Sequence, residues 1–409
     1  MKYVVHYSEV ALKGNNRPEF VRALRWGINR ALAGIDHSIS YSDGRFLVDA
    51  GADLEKVADR LSKVFGISWF AQAEVLPATY ADLLRGVLAA SRVSKGRTFR
   101  LAVRRSDKSF PMTSQELAAK LGAEVVAATG KAVDLSHPEL TVHVDLAKGR
   151  AFLYSDRSKG PGGLPLGTAG RVIHLFSGGI DSPVAAWLLM KRGTRPVYLH
   201  FYLAPTPQAA VESKITRLVK VLSTYQGKST LLLVPFAEYQ LATAEVPGEI
   251  EPSLFRRFMR MTAEGIAPWF EARAVSTGDS LSQAASQTLW NLGSFDQGST
   301  LPILRPLLTY DKDEIIALGR RIGTYDLSLE EYRDCCAIIT RHPRTRVKGE
   351  EVNAYVEELG LRDLTWWSLE RATLVTYNPA KALLKTCPLT EALPGPLSTS
   401  AVAQPRGRV

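Results

Sequence analysis

Residues 171–190 read RVIHLFSGGIDSPVAAWLLM. An apolar run, Val172 to Phe176, breaks at Ser177-Gly178-Gly179, an acid follows at Asp181, and an apolar helical stretch resumes behind Pro183. A short apolar strand, a glycine turn and a helix in that order open a βα unit. Glycines let the backbone come close to an anion, and the free N–H groups and positive dipole at a helix start favour phosphate. Two glycines alone are more often an ordinary turn, so at this point a phosphate cradle stands beside that plainer reading. It is not either of the two common ones, because neither G-x-x-x-x-G-K-[ST] nor G-x-G-x-x-G occurs here.

Further apolar strands are predicted at Val197 to Phe201, Ser229 to Val234 and Ala274 to Thr277, separated by helical stretches. Nearly continuous apolar strands alternating with helices predict a doubly wound α/β domain, a parallel sheet covered on both faces that binds ligands at the carboxyl ends of its strands. His200 and Phe201, closing the second strand, and Phe176, closing the first, are counted with that edge. Thr277-Gly278-Asp279-Ser280 follows the last strand and falls on the same edge.

Upstream the chain reads β-α-β-α. Tyr3 to Tyr7 is a strand and Gly14 to Pro18 a loop; a helix from Glu19 follows, then a strand Arg45 to Val48 and a helix Leu54 to Val64. A second run gives a helix (Tyr80 to Ala90), a strand (Thr98 to Val103), a helix (Ser114 to Thr129, capped by Thr113 or Ser114) and strands Leu140 to Val144 and Ala151 to Tyr154. Lys159 to Gly167, KGPGGLPLG, is almost all turn residues and marks a linker. The expected division is 1–60 and 61–165 for two α+β modules, 166–390 for the doubly wound domain, and a Pro-, Ser- and Ala-rich tail over 391–409.

The composition fits several packed domains: 409 residues, 45% of them hydrophobic, with a net charge of +10. No run approaches a membrane span and the first residues lack signal-peptide order, so a cytoplasmic location is expected. Three cysteines, Cys335, Cys336 and Cys387, are too few for a disulfide scaffold and lack metal-site spacing. Arg333, Arg341, His342 and Arg344 surround the first two, and nearby cations favour thiolate. Basic residues also gather at Arg97, Arg100, Arg104, Arg105 and Lys108 and at Lys148 to Lys159. Such charge implies either a polyanion partner or a plain basic surface, and composition alone leaves the two open.

SGGIDSPVA resembles the PP-loop signature of ATP pyrophosphatases, which split ATP between its α and β phosphates. Five further strings accompany it: YSEVALKGNNR (7–17), VRRSDKSFPMTS (103–114), KGPGGLPLGT (159–168), TGDSLSQAASQT (277–288) and RPLLTYDKDEI (305–315). Together they resemble the ThiI family of tRNA 4-thiouridine synthetases over about residues 1 to 380. The resemblance implies a ferredoxin-like domain, a THUMP domain that binds tRNA and a PP-loop domain that thiolates a uridine at position eight of tRNA. Ser177, Gly178, Gly179, Ser182, Arg256 and Gly278 would then hold ATP, with Asp181 close to the phosphates and to a bridging Mg²⁺.

By the same resemblance Gln283 and Gln287, one helical turn apart on one face, would line the nucleotide or uracil pocket, and Lys312 would act in catalysis. Lys13, Arg17, Arg104, Arg105 and Lys108 would meet tRNA. Cys336 best matches the family's catalytic cysteine, with Cys335 or Cys387 available to resolve the disulfide left by sulfur transfer. Some members carry a rhodanese-like domain; no segment here resembles one, so a cysteine desulfurase or another separate donor is expected to supply sulfur. A homodimer is left open. The alternatives are a PP-loop ligase or amidating enzyme acting on a small molecule, a non-catalytic RNA-binding protein, and a part in making the thiazole of thiamine.

Overall fold

Strand β1 (Lys2–Tyr7) alternates its side chains, Tyr3 and Val5 to one face and Val4 to the other, and both faces are covered. The computed structural model of the protein describes residues 2–51, 53–106, 108–333, 335 and 343–393. They fall into two units, Met1–Pro165 and Leu166–Val409.

In the first unit β1 lies between β3 (Arg45–Ala50) and β4 (Ile67–Pro77), antiparallel to both, and β2 (His37–Ser42) pairs outside β3. Helices Arg17–Ala31 and Leu54–Leu61 cover one face, burying Leu24, Ile28, Val57 and Leu61 against Tyr3, Val5, Phe46 and Val48. Beyond β4 the sheet continues through β8 (Arg150–Tyr154), β7 (Leu140–Ala147), β5 (Thr98–Arg105) and β6 (Ala132–Val133), while β9 (Ser158–Lys159) pairs with β4. Helices Tyr80–Val93 and Ser114–Thr129 pack over this half; the second starts with a capping box between Thr113 and Glu116. One ladder of nine strands among the described residues therefore runs through both modules.

The long strand β4 is its hinge piece: residues 67–73 pair with β1 and residues 74–77 with β8. β2 and β4 are not among the strands expected from the sequence, nor are the two-residue strands β6 and β9. Both faces of β4 are covered in places and open in others, so its residues follow no single two-residue alternation. The helix expected from Glu19 starts at Arg17, and part of the expected loop before it is a 3₁₀ stretch, Glu9–Asn16.

The second unit has a sheet ordered β14 (Ile303–Leu304), β13 (Ala272–Ser276), β10 (Arg171–Leu175), β11 (Arg195–Tyr202), β12 (Ser229–Pro235), β15 (Thr373–Asn378), β16 (Leu383–Pro388). The strands from β14 to β12 are parallel. The parallel sheet expected from the sequence is corrected at one edge: β15 runs antiparallel to β12 and β16 antiparallel to β15. The edge strand β16 is largely exposed, so it carries no apolar run by which it would be recognised. Helix Asp181–Lys191 is buried almost all round, Trp187 included, as a helix enclosed in an α/β domain should be. On the other side Phe255 and Phe258 of helix Glu251–Ile266 meet Phe201, Phe236 and Tyr239. Among the described residues no helix is long and apolar enough to cross a membrane.

Candidate active site

β10 has β11 on one side and β13 on the other, so chain order reverses across it and a crevice opens at the carboxyl ends of these strands. A cavity of about 450 Å³ lies there. Phe176, Ser177, Asp181 and Ser182 come to it from the end of β10, His200 and Phe201 from β11, and Gly278 and Asp279 from β13. Arg256, Gln287 and Cys335 complete the predicted residues in its wall.

The glycine turn closes on itself. Ser182 Oγ donates to Ser177 O at 2.8 Å and accepts from Ser177 N at 3.0 Å, so this hydroxyl shapes the loop rather than serving only as a contact for nucleotide. The helix behind it has no side-chain cap on Ile180, which leaves its N-terminus to an outside anion. A Cβ on Gly178 would sit 2.8 Å from Lys214 Cε, and one on Gly278 2.9 Å from Ser182 N, whereas Gly179 has only Ser177 Oγ nearby, at 3.6 Å. Gly178 and Gly278 are thus needed for close packing inside the protein, and Gly179 faces open space.

Beneath the turn His174 is fully buried, with Nε2 at 2.9 Å from Ser182 O and Nδ1 at 2.7 Å from Ser276 Oγ. A carbonyl only accepts, so Nε2 carries the proton and Nδ1 accepts from the serine hydroxyl. Burial pushes this imidazole down to about 4, against the Ser182 hydrogen bond, so it is neutral near pH 7.

Asp181, first residue of its helix, meets two predicted partners. Lys312 Nζ lies 2.8 Å from Oδ1 and Gln283 Nε2 donates to Oδ2 at 2.9 Å. Lys312 opens helix Lys312–Ile322 behind a capping box of Asp311 and Glu314. A cation at the positive end of a helix dipole is locally unfavourable, and a half-exposed ion pair adds little stability, so stability does not account for this placement. The two glutamines are not on one helical face. Ser282 has φ 63°, Gln283 lies in a turn and Gln287 ends the short 3₁₀ turn Ala285–Gln287, because Thr288 caps a new helix at Leu289. Gln287 Oε1 is buried with no hydrogen-bond partner among the described residues, an acceptor left for a ligand N–H.

Arg256, expected at a phosphate, directs both terminal nitrogens to Asp279 at 2.9 and 2.8 Å. Thr277 Oγ1 and Arg305 Nε also donate to Asp279, at 2.7 and 3.3 Å, and Phe295 lies under both guanidiniums. Burial would raise the Asp279 carboxyl, but Arg256, Thr277 and Arg305 outweigh it and hold it below the usual carboxylate range. This buried network fixes the turn after β13, and nothing in the sequence around Asp279 or Arg305 marks the two as partners. Arg257 is buried, held by Asn353 Oδ1 and Ser294 O.

Cys335 is 1% exposed, its Sγ donating to Phe201 O at 3.2 Å. Cys387 lies on β16, and neither is in a disulfide. Cys336, Arg341 and His342 lie outside the described residues. In the first unit Arg104 and Lys108 are exposed. Arg105 is not displayed with them, because strand alternation turns it to the helical side, where Nη1 donates to Phe110 O and Met112 O. Arg17 donates to Tyr7 OH at 2.7 Å and Lys13 Nζ lies 4.9 Å from the Phe20 ring centre. Among the described residues no three His, Cys, Asp or Glu side chains group as metal ligands.

Residues 167–361 match the family described as thiamine biosynthesis protein (ThiI), residues 2–71 the ThiI ferredoxin-like domain and residues 82–156 the THUMP domain. A probable tRNA sulfurtransferase of Moorella thermoacetica is 40% identical over 380 residues, which cover 92% of this chain and 97% of that one. A solved 4-thiouridine synthetase, in complex with RNA and with bound ATP, superposes with a TM-score of 0.81 at 32% identity, over 92% of this chain and 99% of that one. A Pyrococcus horikoshii protein shares the fold at 22% identity and a TM-score of 0.60, over 79% of this chain and 99% of that one. Through these matches, which span nearly its whole length, the chain belongs to the ThiI family.

Proposed function

We propose that the protein is an ATP-dependent tRNA sulfurtransferase that converts the uridine at position eight of tRNA to 4-thiouridine. One observation carries this reading: Ser177 of the glycine turn and Cys335 of the cysteine pair line the same cavity. The relatives named as a tRNA sulfurtransferase and as a 4-thiouridine synthetase with RNA and ATP support the reaction class.

Uracil O4 is a poor leaving group. Its attack on the α-phosphorus of ATP forms the O–P bond, expels pyrophosphate and leaves an adenylated C4. The uncapped helix start behind the glycine turn binds the phosphates, and Lys312 offers positive charge where pyrophosphate departs. The apolar wall of Phe176 and Phe201 excludes water, and Gln287 Oε1 accepts a base N–H. The single carboxylate of Asp181 suits Mg²⁺, a cation held by one or two carboxylates plus substrate phosphates. When bound it would neutralise charge on the departing pyrophosphate.

A persulfide on Cys336, loaded by a separate donor such as a cysteine desulfurase, then attacks C4 through its outer sulfur, and AMP leaves. A second thiol attacks the inner sulfur; the S–S bond breaks, the outer sulfur stays on C4 as thiouridine, and an enzyme disulfide remains for an external thiol to reduce. Cys335, at the cavity wall, is the nearer candidate for that thiol than Cys387 on the edge strand. Lys13, Arg17, Arg104 and Lys108 contribute tRNA phosphate contacts, and Arg105 supports their loop. Incubation with ATP, Mg²⁺, unmodified tRNA and a persulfide source tests the reading. Thiolated tRNA with AMP is expected; AMP formed without dependence on RNA would favour a small-molecule ligase.

A further inference from the structure

The stretch Glu330–Arg333, leading to the cysteine pair, has no helix or strand of its own. Its position depends on side-chain anchors, since its backbone groups belong to no ladder. Lys214, only 6% exposed, donates Nζ to Ser328 O at 3.0 Å and also to Glu330 O. Tyr332 OH lies 2.7 Å from His200 Nε2, and Cys335 Sγ donates to the carbonyl of the next residue, Phe201.

The same residues hold the nucleotide turn. His200 Nδ1 is 2.8 Å from the carbonyl of Phe176, the residue before Ser177. The carbonyl must accept, so Nδ1 carries the proton and Nε2 accepts the Tyr332 hydroxyl. At Gly178 an added Cβ would meet Lys214 Cε at 2.8 Å and Tyr332 Cδ1 at 3.1 Å. Lys214 and Tyr332 therefore touch both the phosphate-binding turn and the cysteine segment.

We propose that Tyr332, acting through His200 and beside Lys214, is a positioning residue that registers the cysteine segment against the nucleotide turn, so that sulfur delivery is coupled to adenylation. The coupling rests on the sulfurtransferase reading; the anchoring does not. Phosphate contacts shift a turn by fractions of an ångström, and a packed tyrosine ring with a hydrogen bond behind it transmits that shift, because a dense interior does not absorb it. No sequence motif marks Tyr332, which is three residues from Cys335 and far along the chain from His200.

Tyr332→Phe keeps the ring against Gly178 and deletes only the hydroxyl; Lys214→Met is the second variant, should the first fail to fold. Two readouts are taken on the full chain: iodoacetamide alkylation of Cys335, located by mass spectrometry, and AMP released per thiouridine formed. Losing one hydrogen bond should raise both by up to about tenfold. An unchanged alkylation rate would overturn the anchoring. A wild-type enzyme that thiolates, beside a variant with the same AMP-to-thiouridine ratio, would overturn the coupling. A wild type that makes no thiouridine would sink the sulfurtransferase reading, and the alkylation rate would then decide the anchoring alone.

Discussion

Replacing Gly278 by alanine tests how far the cavity depends on backbone touching backbone. The new Cβ would lie 2.9 Å from Ser182 N, 3.0 Å from Ser182 Cα and 3.1 Å from Asp181 C. Non-bonded carbon contacts are best at about 3.5–4.0 Å, so each falls short by roughly half an ångström or more. None of the three atoms can rotate aside, since all belong to the first turn of a buried helix. The turn after β13 and this helix must part by about 0.5–1 Å, an overpacking cost of about 1–3 kcal/mol. The shift also carries Asp181 away from Lys312 and Gln283, and misplacement by about 1 Å costs on the order of a hundredfold in rate. Urea unfolding should report the first effect and tRNA-dependent AMP formation the second. Gly179→Ala, with its nearest atom 3.6 Å away, should leave stability unchanged and serves as the control. A Gly278→Ala protein as stable as wild type and within twofold of its AMP-forming rate would refute the reasoning.

Lys312→Ala should lower AMP formation by about a hundredfold or more, as loss of one pre-placed charge does, while its melting temperature stays within about a degree because the ion pair is half exposed. Asp181→Ala should abolish AMP formation and retain tRNA affinity in a filter-binding assay. Cys336→Ser should spare AMP formation and lose thiolation; full thiolation by that variant would remove the residue from the mechanism. Acid should weaken the second unit through His174, whose folded value is about 4 against an ordinary 6.5. The unfolded chain binds the extra proton between those values, so stability is full above about pH 6.5 and falls toward pH 4, by roughly 3 kcal/mol in all. In denaturant titrations His174→Gln should flatten that slope by about one proton, and an unaltered slope would count against it.

The doubly wound core was legible because each of its central strands is buried on both faces and bounded by turn residues, as Val172 to Phe176 before Ser177 shows. Position along the sheet edge followed from that alone, which is why Asp181, His200 and Gly278 meet in one cavity. Strands β4 and β16, exposed to mixed surroundings, kept no period to read, whereas β2 alternates but offers only Ile39 and Tyr41 as large apolar side chains among serines. Partnerships across long separations were also hidden: Asp279 with Arg256 and Arg305, and His200 with Tyr332, are set by packing that no local pattern encodes. Gln283 and Gln287 were misplaced because their spacing suits a helix, and only the cap at Thr288 shows that the helix begins after them.

Strand β4 donates its first half to one module and its second to the next. A truncation cut anywhere between residues 67 and 77 would leave raw, hydrogen-bond-hungry edges on both fragments. The ferredoxin-like and THUMP portions should accordingly melt, exchange amides and resist proteases as a single cooperative block. Expressing either portion alone would call for duplicating this strand in the design.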